Sequence, residues 1–167
     1  GQIDALEGEY MKTAGQLSEL RRRAAKNLES QVYAELKELG LPRIKFKVKV
    51  EQRLSPGPKG LDQVEFLFSA NPGEEPRALA RVASGGEISR VVLALKKALA
   101  ASYQMPTLIF DEIDVGLGGT ALTAMAGKIF ELSCSHQVVL VTHSPQVAAY
   151  AQRHFCIEKE INQNHTA

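Results

Sequence analysis

Apolar residues recur at helical spacing over the first quarter of the chain. Ile3, Leu6, Tyr10, Ala14, Leu17, Ala24, Leu28, Val32, Leu36 and Leu39 fall mostly three, four or seven residues apart, with charges between them. The spacing predicts one helix over residues 3–39. Gly40 and Pro42 follow it, a helix-ending glycine and then a residue that cannot continue a helix. At 1.5 Å per residue such a helix is about 55 Å long, more than a compact domain uses. The stripe therefore reads as a coiled-coil arm whose partner helix lies outside this chain. The alternative is an amphipathic helix packed on the domain itself.

From Arg43 the period changes to two. Ile44, Phe46, Val48 and Val50 alternate with Arg43, Lys45, Lys47 and Lys49, as in a half-buried strand. Ser55 to Gly60 reads as a turn, and Gln63 to Ala70 as a second strand, so the two form an antiparallel pair. Asn71 to Pro76 is a further loop. The pattern then turns α/β. Ile88–Ser102 is helical, with Ile88, Val91, Val92, Leu95 and Leu99 on one face. Thr107–Phe110 is a short, wholly apolar strand of the kind covered on both faces. Thr120–Leu132 is helical, Gln137–Thr142 holds a second buried strand, Pro145–Ala151 is a short helix and His154–Lys159 a last strand. The expected organisation is an arm over 1–40, an α/β lobe over 41–160 and a polar tail over 161–167.

Composition removes several classes of function. The net charge of +1 offers no overall attraction to nucleic acid or an anionic membrane. Trp is absent and aromatics are 6% of residues, too few for a base-stacking platform. No apolar run reaches the ~18 residues of a membrane span, so no membrane partner is expected. Two cysteines, Cys134 and Cys156, read as reduced thiols. His136, His154 and His165 show no metal-ligand spacing with them and read as structural or exposed.

Three segments carry chemistry. Ser84-Gly85-Gly86-Glu87 is a glycine turn opening a helix, where backbone amides and the helix dipole favour an anion. An ordinary helix start is the competing reading. Leu108 to Glu112 is an apolar strand that delivers two acids to the carboxyl edge of a sheet, where open α/β sheets bind ligands. There Asp111 suits Mg²⁺, usually through a water, and Glu112 suits a general base for water. A pair of solvated acids is the competing reading. His143 follows the apolar run Val138 to Val141, where a histidine suits a γ-phosphate or a positioned water; a satisfied structural histidine is the competing reading. No G-x-x-x-x-G-K-[ST] phosphate loop occurs anywhere in the chain.

In this order the segments resemble the head of ATP-binding-cassette ATPases. Ser84-Gly-Gly-Glu87 is similar to the signature motif, Leu108-Ile-Phe-Asp-Glu112 to the Walker B strand, Ile113-Asp-Val-Gly116 to the D-loop and His143 to the switch histidine. Ala83 to Arg90, Phe110 to Gly119 and Val141 to Ala148 closely resemble the RecN family of bacterial DNA-repair proteins, itself similar to the SMC proteins. SMC heads more typically carry Leu-Ser-Gly-Gly-Glu and lack the Gly-Leu-Gly-Gly run seen here at 116–119. The resemblance implies the C-terminal lobe of an ATPase head, with a parallel-strand core, flanking helices and an antiparallel strand pair, and with residues 1–40 as the returning arm of a long coiled coil. The family's N-terminal half supplies the phosphate loop and the outgoing arm, so this chain alone is expected neither to bind ATP tightly nor to hydrolyse it.

The resemblance further implies ATP and Mg²⁺ as cofactors. Asp111 and Glu112 would act beside the phosphate loop of their own head, and Ser84, Gly85, Gly86 and Glu87 would close on the nucleotide from a second head. Asp114 would lie at the seam between two such sites. The implied partners are the N-terminal half, a second head and DNA, in the bacterial cytoplasm at the nucleoid. Arg21, Arg22, Arg23, Lys45, Lys47 and Lys49 are candidate contacts to DNA phosphates, with plain solvation as the alternative. Two other functions stay open: an SMC-type chromosome organiser, and a scaffold that binds DNA or protein without turnover.

Overall fold

A computed structural model describes residues 1–69, 73–81, 86–100, 106–158, 161–162 and 165–166, without the side chains of 81, 161, 162, 165 and 166. Among the residues singled out in the sequence, Ser84, Gly85 and the His165 side chain lie outside the described set, as does the expected end of the second long helix at Ser102.

Helix α1 runs Gln2–Glu38, 37 residues in one piece. Its end is a Schellman turn: Gly40 takes φ +74°, Leu41 N–H donates to Leu36 O at 2.9 Å and Gly40 N–H to Lys37 O at 3.3 Å. The single stripe read from the sequence divides in space. Val32, Leu36 and Leu39 are fully buried, and Ala14, Ser18 and Ala25 are buried further up. Ile3 and Leu6, at the start of the stripe, stand 72% and 61% exposed. The stripe is covered where the lobe and the strands beside it reach the helix, and bare at its first turns.

Strands β1 (Lys45–Gly57) and β2 (Gly60–Ser69) form the expected antiparallel pair, joined by a tight turn with Gly57 opposite Gly60. A two-residue strand β3 (Arg77–Ala78) extends the sheet beside β2, followed by a 3₁₀ turn at Leu79–Arg81. The hairpin lies along α1 and grips it with polar groups. Tyr10 donates to Gly57 O at 2.9 Å, and Arg21 to Lys59 O at 2.8 Å. Ser18 Oγ and Arg21 Nη1 both donate to Asp62 Oδ2, at 2.7 and 3.1 Å. Burial alone would raise the Asp62 carboxyl, but the Ser18 and Arg21 bonds outweigh it and hold it below 3.8. The hairpin thus braces the arm over its middle turns.

Helices α2 (Gly86–Leu99) and α3 (Gly119–Ser133) and the short α4 (Pro145–Ala148) surround a parallel pair, β4 (Thr107–Asp111) and β5 (Gln137–Val141). The core joins Leu36 and Leu39 of α1 to Val91 and Leu93 of α2, Leu108 and Phe110 of β4, and Leu122 and Met125 of α3. At the arm root the acids Glu35 and Glu38 converge on Lys128 of α3, a lysine only 5% exposed along its side chain. Lys97 of α2 joins them, 3.5 Å from Glu35 and 2.6 Å from Glu131. Burial pushes Lys128 down, yet its bonds to the two glutamates win and raise it above 10.5.

Two expectations fail. β4 and β5 are not covered on both faces: Leu108 and Phe110 are buried, whereas Ile109, Val139 and Val141 are 64%, 46% and 51% exposed. No strand forms over 154–158, where Phe155 and Ile157 stand over 90% exposed. The physical reason is shared. A wholly apolar strand needs cover on both faces, and a strand needs a neighbour to pair with. Neither is present beside these segments among the described residues. Short strands β6 (Ile161–Asn162) and β7 (His165–Thr166) pair with each other beyond them.

Candidate active site

The parallel register sets Asp111 opposite Val141. The segment that leaves β4 and the one that leaves β5 therefore emerge side by side at one carboxyl edge. Asp111 and Glu112 on the first and His143 on the second are all exposed there. Residues separated by some thirty positions in sequence are brought together by a two-strand ladder.

The chain turns sharply at this edge. Glu112 adopts φ +47° and is the sole non-glycine residue with positive φ among those described. The left-handed conformation costs an L-residue ~1–2 kcal/mol, and such outliers gather at functional sites. Glu112 N–H donates to Val141 O at 3.1 Å, which extends the β4–β5 ladder by one rung. Gly116 and Gly119 supply the other positive-φ positions on the way into α3.

The Asp114 side chain is buried, 1% exposed. Asp114 Oδ2 accepts a 2.5 Å hydrogen bond from Thr142 Oγ1 and lies 3.8 Å from His143 Nδ1. The distance to histidine is too long for a hydrogen bond. His143 itself is 73% exposed along its side chain, available to a ligand.

The start of α2 locks onto the same turn. Arg90, 5% exposed, donates from Nη1 to Val115 O at 3.0 Å. A Cβ on Gly86 would meet that carbonyl at 2.5 Å. Gly86 is thus required by its contact with the acid-bearing turn, whatever else the glycines do for an anion. Burial lowers the Arg90 guanidinium pKa, against a rise from Glu87. Arg90 Nε and Asp114 Oδ1 are buried with no hydrogen-bond partner among the described residues. Sequence reasoning passed over Arg90 and Thr142, because no spacing rule marks a residue that serves a backbone carbonyl or a neighbouring carboxylate.

Among the described residues no group of three or more His, Cys, Asp or Glu could hold a metal. The hard oxygen donor of Asp111 nevertheless fits Mg²⁺, which takes one or two carboxylates with water and phosphate oxygens completing its shell. Cys134 and Cys156 are free and exposed. No helix among the described residues is long and apolar enough to cross a membrane. Of the basic candidates, Lys45, Lys47 and Lys49 occupy the β1 face away from the buried Val48, with Lys49 paired to Glu51 at 2.9 Å. Arg21 is taken up by the hairpin, and Arg22 and Arg23 lie 3.8 and 3.1 Å from Glu19.

Comparison with known proteins agrees with the resemblance read from the motifs. No family model matches the chain. The DNA repair protein RecN of Treponema pallidum is 46% identical over 160 residues, covering 92% of this chain and 28% of that protein. RecN of Rickettsia typhi is 44% identical over 92% of the chain, and RecN of Deinococcus radiodurans 40% identical over 98%. The chain spans 28–29% of the length of these relatives. An Smc head of Pyrococcus furiosus with extended coiled coil, solved bound to the C-terminal domain of ScpA, matches with a TM-score of 0.60 at 21% identity, covering 90% of this chain and 35% of that one. A head from a study of ATP-driven dimerisation and DNA-stimulated activation of SMC ATPases matches at 0.51 and 20% identity, covering 90% of this chain and 86% of that one. The fold is that of an SMC-type head lobe with a long N-terminal helix, and the sequence is similar to part of RecN.

Proposed function

We propose that this chain is the C-terminal lobe and returning arm of a RecN-like ATPase head acting in repair of DNA double-strand breaks. One observation carries the reading. A strained Glu112, its neighbour Asp111 and an exposed His143 meet at one sheet edge, joined through a buried Asp114. A scaffold without turnover has no need of a base held at positive φ beside a histidine.

In this reading Glu112 accepts a proton from the attacking water and His143 meets the γ-phosphate. Asp111 holds Mg²⁺, which would neutralise charge on the phosphate oxygens. Ser84, Gly85, Gly86 and Glu87 reach the nucleotide of an opposing head, and ATP closes two heads that hydrolysis reopens. The phosphate loop comes from an N-terminal part outside this chain. The open β4–β5 face and the unpaired segment at 154–158 support that division, because both need structure that the described residues do not supply. Lys45, Lys47 and Lys49, on one face of β1, remain candidates for DNA phosphates, with Lys49 also paired to Glu51, while Arg21 is held by Asp62 and the Lys59 carbonyl.

The test is Glu112→Gln in protein assembled with its N-terminal part. ATP binding should persist while phosphate release falls by about 10²-fold or more, and closed head pairs should accumulate. Wild-type turnover in that variant would remove Glu112 as the base. The chain alone serves as control and should neither bind ATP tightly nor hydrolyse it.

A further inference from the structure

Two turns must hold still for this site to exist: residues 112–116, which carry the base, and residues 142–144, which carry the histidine. The backbone ladder between them ends at Glu112 N–H to Val141 O. Beyond that rung, the described hydrogen bond joining the two turns is a side-chain one, Thr142 Oγ1 to Asp114 Oδ2 at 2.5 Å. His143 approaches Asp114 no closer than 3.8 Å and so contributes no hydrogen bond of its own.

We infer that Thr142 is a positioning residue of the site: its hydroxyl clamps the base-bearing turn to the histidine-bearing turn. The direction of the bonds follows from the donors present. Ser144 N–H donates to Thr142 Oγ1 at 3.0 Å, and an amide can only donate. A hydroxyl has one proton and two acceptor lone pairs, so Thr142 receives the Ser144 amide and gives its proton to the Asp114 carboxylate. That acceptor is almost fully buried, where a bond to a charged group is short and strong. Ser144 also caps α4, accepting from Val147 N–H. The hydroxyl of Thr142 thereby orders the whole passage from β5 into α4, with His143 in its middle and its ring left exposed. On the far side, Arg90 holds the neighbouring Val115 carbonyl. The turn bearing Glu112 is fastened at two adjacent residues by two different elements, as its unfavourable φ requires.

Valine has nearly the shape of threonine without the hydroxyl. In Thr142→Val the Asp114 carboxylate loses its donor and the Ser144 amide its acceptor, while the packing volume is kept. The role in turnover rests on the ATPase reading above; the role in holding the turns does not. The first measurement therefore uses the 167-residue chain. Amide hydrogen exchange at Glu112, whose N–H meets Val141 O, and at Leu117, whose N–H meets Asp114 O, should quicken by about tenfold or more in Thr142→Val, a local opening rather than global unfolding. Thr142→Ser should restore the protection. Asp114→Asn, which keeps size and removes the charged acceptor, should lose it as Thr142→Val does. Unchanged exchange in both Thr142→Val and Asp114→Asn overturns the inference.

The second measurement uses protein assembled with its N-terminal part. Thr142→Val should lower kcat by about tenfold or more, as a small misplacement of reacting groups does, with KM for ATP changed by less than about threefold and recovery in Thr142→Ser. Wild-type kcat in Thr142→Val beside an inactive Glu112→Gln would overturn the positioning role and leave the ATPase reading standing. Absence of turnover in the assembled wild type would remove the ATPase reading instead, and the exchange result would still decide whether Thr142 holds the turns.

Discussion

The arm root and the carboxyl edge of β4 and β5 lie in the same lobe and are built in opposite ways. At the root, every buried charge named above has its counter-charge: Lys128 sits between Glu35 and Glu38, and further up the arm Asp62 takes Ser18 and Arg21. Apolar residues there are closed off, with Leu36, Leu39 and Met125 wholly buried. At the edge, Ile109, Val139 and Val141 face outward, Glu112 sits in strained backbone, and Arg90 and Asp114 each hold a buried atom without a partner among the described residues. The root is closed and its buried charges are paired, whereas the edge is open, strained and incompletely paired among the described residues.

The largest effect should come from the root. Leu36→Ala removes a fully buried side chain shared between the arm and the lobe. Core leucine truncations cost ~2–5 kcal/mol, according to how well the site collapses. Denaturant unfolding of the chain checks this. A cost under ~1 kcal/mol would mean that the arm root is not seated in the core as described.

Lys128 gives a smaller effect with a pH signature. Removing it by Lys128→Ala leaves two carboxylates facing each other and should cost ~1–3 kcal/mol, the range for losing hydrogen bonds to charged groups; the partial exposure of Glu38 places it toward the low end. The sign with pH follows from the raised value. A lysine whose folded pKa exceeds its unfolded 10.5 contributes stability in full below that value and loses it as pH rises through the folded one. Wild-type chain should therefore weaken relative to Lys128→Ala above about pH 10.5. Parallel loss in the two proteins across that range would dissociate Lys128 from the ion cluster.

Much of this contrast was legible in the sequence, and the remainder was not for definable reasons. The α1 stripe, the alternation from Ile44 to Val50 and the Gly40 stop are local signals, and they returned the arm, the hairpin and the turn that ends the helix. The two apolar runs were read as strands because three or four consecutive apolar residues bounded by polar ones have few other homes. Their cover was misjudged because period carries no information about what lies on each face. The expected strand at 154–159 failed similarly over its described residues 154–158: alternation of Phe155 and Ile157 marks a capacity to pair, and pairing needs a neighbour. At the sheet edge, motif order singled out Asp111, Glu112 and His143, which the parallel register brings to one side. Thr142 and Arg90 escaped because their value lies in reaching a carboxylate 28 positions and a carbonyl 25 positions away.

The smallest expected effect tests whether the edge really is unfinished. Ile109 is 64% exposed in the middle of β4, between the buried Leu108 and Phe110. In a strand covered on both faces, Ile109→Thr would bury a hydroxyl without a partner and lose apolar contact, at ~1–3 kcal/mol. On an open face the same change keeps a β-branched residue suited to a strand and removes an exposed methyl group. The unfolding free energy of the chain should then move by no more than ~0.5 kcal/mol, the usual range for surface substitutions. The isoleucine of the wild type, beside Val139 and Val141, should also favour self-association at high concentration, since contiguous exposed apolar surface is seldom left bare. Sedimentation of the two proteins should show the threonine variant more monomeric. A destabilisation above ~1.5 kcal/mol with no change in association would mean that the outer face of β4 is already covered within the chain, and the contrast between a closed root and an open edge would fall.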